Sequence, residues 1–69
     1  MKKIAGTPMA YEWMKRKYGS RLMVKLNTFR KMVDLEELPP EIIYKRKPNA
    51  MRHFDKRLLS DWAEKTIVS

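Results

Sequence analysis

The chain has no cysteine and only one histidine among its 69 residues. Without thiols there is neither a disulfide framework nor a thiolate metal site, the usual supports of very small secreted domains. A single imidazole does not make a four-ligand zinc site. Long apolar runs are missing too, and no segment approaches the roughly 20 residues of a membrane span. The N-terminal stretch "MKKIAGTPMAYEW" carries two lysines but no apolar core of a signal peptide. These absences favour a reducing cytoplasm, in a bacterial host, over secretion.

Acid is the other scarcity. Eight Asp and Glu face sixteen Lys and Arg, a formal charge of +8. So much like charge on one small domain repels itself, and its common use is attraction to a polyanion. The distribution sharpens this. Lys15, Arg16, Lys17, Arg21, Lys25, Arg30 and Lys31 fall between Met14 and Val33 with no acid among them. "DLEELPPE" then holds Asp34, Glu36, Glu37 and Glu41 and no base. A second basic block follows, Lys45, Arg46, Lys47, Arg52, Lys56 and Arg57, opposed only by Asp55. Two basic blocks around an acidic hinge imply two contacts with one anionic partner.

What remains is a small hydrophobic core, since 43% of the residues are apolar, and one domain at most. Residues 1–7 read as a flexible basic N-terminal arm and residues 8–69 as the domain. Thr7 is the expected N-cap of a first helix with Pro8 at its first position, and Gly19 its stop. Leu22, Leu26, Phe29 and Val33 allow a second helix beginning at Ser20. Alternatively the helix begins after Asn27, a good N-cap. Both readings put Thr28 to Val33 in a helix, with Phe29, Met32 and Val33 inward and Arg30 and Lys31 outward. Pro39–Pro40 are expected to end it. "EIIYK" (41–45) and "MRHF" (51–54) are β-prone runs around a "RKPN" turn, a hairpin with a basic tip. Asp55 then caps a last helix whose stripe is Leu58, Leu59, Trp62 and Ala63. Trp13, Phe29, Val33, Leu58 and Trp62 are the expected core.

Helix, turn, helix, basic hairpin, helix is the order of an α+β fold, a small winged helix-turn-helix with a two-stranded wing braced by the C-terminal helix. In such a fold the second helix enters the major groove. Asn27 and Thr28 stand at its N-terminal end, Arg30 suits guanine and Lys31 phosphate. Asn27 serves equally as a cap, and Arg30 and Lys31 equally as a solvated face. Lys45, Arg46, Lys47, Asn49 and Arg52 form the wing, adding affinity and salt dependence with little base reading. Arg52 has the alternative of an ion pair. Lys15, Arg16 and Lys17 are flanking phosphate contacts or simply solvated, and His53 is structural. The acids come with no nucleophile, phosphate-cradling loop or metal spacing, so no enzyme and no cofactor are expected. Asp34, Glu36, Glu37 and Glu41 are instead expected to face the basic surface of a neighbouring copy on DNA.

"LNTFRKMV", then "LPP", a basic wing and "RHFDKRLLSDWAE" resemble the excisionases and related MerR-like winged-helix proteins of phages and mobile elements. The order "YEWMKRK", "NTFRKMV", "LPP" is similar to that of the lambdoid phage excisionases. The resemblance covers roughly residues 9–65. The connector "YGSRLMVK" is longer than the usual tight turn, and no separate integrase-contacting tail is identifiable. The resemblance implies a recombination directionality factor that binds double-stranded DNA beside an attachment site. Such a factor bends the DNA or assembles cooperatively on it and directs an integrase, here a tyrosine recombinase, toward excision. A small transcriptional regulator of the same fold is the nearest alternative. A protein-binding anti-repressor and a membrane-surface peptide are the alternatives from other classes.

Overall fold

The computed structural model describes residues 3–44 and 51–69. Strand β1 (Lys3–Ala5) leads into helix α1 (Thr7–Tyr18), and helix α2 (Leu26–Asp34) follows. Strands β2 (Ile43–Tyr44) and β3 (His53–Asp55) come next, and helix α3 (Lys56–Thr66) is last. The result is a small α+β fold of three helices and one antiparallel sheet in the order β1-β3-β2.

Within the arm expected over residues 1–7, Lys3–Ala5 are a paired strand, and residues 1 and 2 lie outside the described residues. Lys3 pairs with Asp55, Ile4 with Phe54 and Ala5 with His53. On the other side of β3, Ile43 pairs with Phe54 and Tyr44 with His53. Side chains alternate across a sheet, so Ile4, Phe54 and Ile43 share the inner face, and Phe54 is completely buried. Gly6 continues the ladder, donating its N–H to the Arg52 carbonyl at 2.7 Å. It then turns sharply into α1 with φ 90, a conformation glycine adopts without a Cβ penalty. Gly6 therefore occupies the cap position expected for Thr7, which is instead the first helical residue and is buried. Gly19, with φ 57, closes α1 as expected.

α2 does not run on to the prolines. Its last helical residue is Asp34, and Glu36 sits in the left-handed region at φ 56. The Glu37 N–H reaches the Met32 carbonyl at 3.0 Å and the Glu36 N–H the Val33 carbonyl at 3.1 Å. Those two bonds make a Schellman ending, so the last carbonyls are satisfied before any proline is needed. Pro40 instead opens a short 3-10 helix, Pro40–Ile42. That turn drops Ile42 into the core and delivers Ile43 to the sheet.

α3 starts as the sequence indicates, with the Asp55 carboxylate accepting from the Leu58 N–H at 3.0 Å. Its buried line is Leu59 and Ala63, one turn apart, which rotates Leu58 and Trp62 to the flank. Likewise Ala10 and Met14 form the buried line of α1, and Trp13 is displaced to its side. Phe29 and Val33 are thus core as expected, whereas Trp13, Leu58 and Trp62 are only partly buried. Their places in the core are taken by Phe54, Met14 and Leu59. Phe29 sits at the centre, its ring centroid 6.2 Å from Tyr11 and 6.1 Å from Phe54.

Candidate nucleic-acid interface

Phe29 and Val33, four residues apart, pin one face of α2 against α1 and the sheet. The opposite face is left outside, and all four residues expected to read DNA are on it or at its start. Asn27, Thr28, Arg30 and Lys31 are exposed. Among the described residues no salt bridge occupies Arg30 or Lys31. Asn27 is the second residue of the helix, not its cap, and the start at Ser20 is also excluded. The cap position belongs to Lys25, whose side chain accepts nothing from the helix. Among the described residues no side chain caps the first amide N–H groups of α2, as at α1 and in contrast to α3. Such an end favours an anion through its dipole and its unused donors, and Lys25 adds a positive charge beside it.

The connector that sets the start of α2 is fixed from two sides. Gly19–Arg21 form a 3-10 helix, and the Tyr11 hydroxyl on α1 donates to the Val24 carbonyl at 2.9 Å. From the far end of the chain, residues 67–69 lie antiparallel to the connector. Leu22 bridges Val68, the Met23 N–H donates to the Ile67 carbonyl at 2.8 Å, and the Ser69 N–H donates to the Arg21 carbonyl at 2.9 Å. Arg21 returns a bond from Nε to the Ser69 carbonyl at 2.9 Å. None of these contacts follows from a motif in the sequence. The signal was the apolar pair Ile67–Val68 beyond the α3 pattern, and both side chains are buried.

Tyr18 ties the end of α1 to α3, its hydroxyl donating to Glu64 Oε2 at 2.7 Å. Burial, reinforced by the neighbouring carboxylate, pushes the Tyr18 phenol up to about 12. His53 places Nδ1 at 3.1 Å from the Met51 carbonyl, a local bond within the β3 approach.

Of the wing residues, Lys45, Arg46, Lys47 and Asn49 lie outside the described residues. Arg52 is paired, its guanidinium 3.5 Å from the Asp34 carboxylate. The pair is largely solvent-exposed, so it is worth at most about 1 kcal/mol. It holds Arg52 at the C-terminal end of α2, one turn beyond Arg30 and Lys31 and beside the acidic segment. Asp34, Glu36, Glu37 and Glu41 are all exposed. Asp34 and Glu36 rim a groove of roughly 540 Å³ with Val33 and Leu38 at its base. α2 therefore carries unused amide donors and Lys25 at its start, Arg30 and Lys31 along its exposed middle and last turn, and Asp34 at its C-terminal end.

Among the described residues no group of three or more His, Cys, Asp or Glu is placed to hold a metal ion, and no helix is long and apolar enough to cross a membrane. No family model, no curated protein and no solved structure matches this chain.

Proposed function

We propose that the chain is a small winged helix-turn-helix protein that binds double-stranded DNA through α2 and acts as an excisionase-type accessory factor. The observation that carries this is the outer face of α2. Asn27, Thr28, Arg30 and Lys31 are exposed together on a helix whose inner face is locked by Phe29 and Val33. The N-terminus of α2 has no side-chain cap and Lys25 beside it, and a phosphate backbone uses both features. The order of elements supports the winged reading, with α1, a fixed connector and α2 followed by the paired strands β2 and β3. In this arrangement Arg30 reads a base edge, Thr28 and Lys31 hold phosphates, and Asn27 reads adenine or orients the helix end.

The wing cations Lys45, Arg46 and Lys47, with Asn49, add a salt-dependent backbone contact. Arg52 joins them only when it leaves Asp34. The protein acts by occupying and shaping DNA beside an attachment site, without catalysis or cofactor, so that a tyrosine integrase proceeds to excision. Reconstituted recombination tests this. Added to the cognate integrase and attachment-site duplex, the protein should raise excision and depress integration, and Arg30→Ala should abolish both effects. DNA binding without any change in recombination would leave a transcriptional regulator as the role of the same surface.

A further inference from the structure

A second surface lies on the flank of α1 that faces away from α2. Tyr11 leans toward α2, as its contact with Phe29 shows. Two residues on, about 200° around the helix, Trp13 leans the other way. With Met9 and Arg16 of α1, Lys3 and Ile4 of β1, and Lys56 at the start of α3, it lines a groove of roughly 590 Å³. Among the described residues Glu12 is the single carboxylate of that lining.

Cations cluster on its aromatic floor. Lys17 Nζ stands 5.6 Å and Lys56 Nζ 5.9 Å from the Trp13 ring centroid. On the adjoining outer face of the sheet, Lys3 Nζ stands 4.3 Å over the ring of Tyr44. Tyr44 is 48% exposed. Lys3 belongs to both places, so a strip of two accessible rings and several ammonium groups runs from α1 across β1 and β3 to β2.

Each component has a definite preference. An ammonium over an exposed ring is held weakly, and it moves aside for a partner that stacks better. Nucleobases are such partners, and their phosphates then take up the displaced lysines. A duplex does not fit, because its base faces are hidden within the stack. An acidic peptide would satisfy the lysines but leave the ring faces unused. We propose that this groove binds single-stranded nucleic acid, stacking a base on Trp13 and holding phosphates with Lys3, Lys17 and Lys56. The site is independent of α2 and does not rest on the reading of that helix.

The test is fluorescence titration of Trp62→Phe, in which Trp13 is the only indole, with a short oligothymidylate. The same titration is run with heparin, a polyanion without bases. Saturable quenching by the oligonucleotide, absent with heparin, is the expected result. The Lys3→Glu/Lys56→Glu double variant, altered only at solvent-accessible positions, should weaken binding by on the order of tenfold. Should Trp62→Phe fail to fold, the Trp13 indole N–H resonance of the unaltered chain gives the same readout. Arg30→Ala should leave the quenching intact even where it removes duplex binding. No quenching by the oligonucleotide, or equal quenching by heparin, would overturn the proposal. So would loss of the signal in Arg30→Ala, which would move the single strand onto α2.

Discussion

Glu36 is the only non-glycine among the described residues with positive φ, at 56, and replacing it with glycine should stabilise the protein. An L-residue in the left-handed region costs about 1–2 kcal/mol. Glycine removes that cost but brings extra freedom to the unfolded chain, worth roughly 0.5–1 kcal/mol in the opposite direction. The net gain for Glu36→Gly is therefore about 0.5–1 kcal/mol. Glu37→Gly is the matched control. It removes the same charge from the same helix end, but at a residue whose φ is ordinary, so only the entropic loss remains, about 0.5–1 kcal/mol. The two variants should differ by roughly 1–2 kcal/mol, which in a domain of this size is about 5–15 °C in Tm. Circular-dichroism melts of both variants beside the parent give the answer directly. Equal melting temperatures, or a lower one for Glu36→Gly, would refute the assignment of the Schellman ending and return the stop of α2 to the prolines.

Other outcomes follow from the core, the cap and the buried phenol. Phe29→Ala should cost about 3–5 kcal/mol, most of the stability of so small a domain, and a cooperative near-parental melt would contradict its central position. Asp55→Ala should cost about 1 kcal/mol through loss of the bond to the Leu58 N–H, read as a lower urea midpoint with unchanged slope. The Tyr18 phenol lies near 12 in the folded chain against its ordinary 10. Above pH 10 the unfolded chain therefore sheds this proton first. The stability present below pH 10 is lost progressively up to about pH 12. Tyr18→Phe should show a smaller drop in Tm between pH 9 and pH 11 than the parent, and parallel drops would contradict the shift.

Local chemistry made much of the fold legible. Gly19 stops α1 and Asp55 caps α3 because each acts within a turn of its own position. The inward lean of Phe29 and Val33 follows from helical spacing alone. β1 was not legible: three residues with a single inward side chain, Ile4, become a strand only because β3, some fifty positions away, offers them its free edge. The same non-local logic hid the start of α2, which is set by Tyr11 and by residues 67–69. Both tryptophans read as core because each lies beside the true buried line. At one residue's offset, a rotation of about 100°, periodicity does not separate Trp62 from Ala63 or Trp13 from Met14. The prolines are strong helix breakers, yet Glu36 acts first, and nothing in a glutamate announces a left-handed turn. In the candidate interface, the outward lean of Arg30 and Lys31 was readable from the pattern. The diversion of Arg52 to Asp34 depended on how the hairpin approaches the end of α2.

Titration of duplex DNA with the parent chain and Arg30→Ala, at two salt concentrations, is the most direct test of the outer face of α2. Duplexes enriched from a random pool by the parent chain serve as ligand, with scrambled duplexes beside them. The parent should prefer the enriched duplex and weaken with salt. Arg30→Ala should lose about 1–3 kcal/mol of binding, roughly 5- to 150-fold, with its discrimination reduced. Undiminished affinity and preference in Arg30→Ala would mean that α2 does not read DNA and that its exposed face serves another partner.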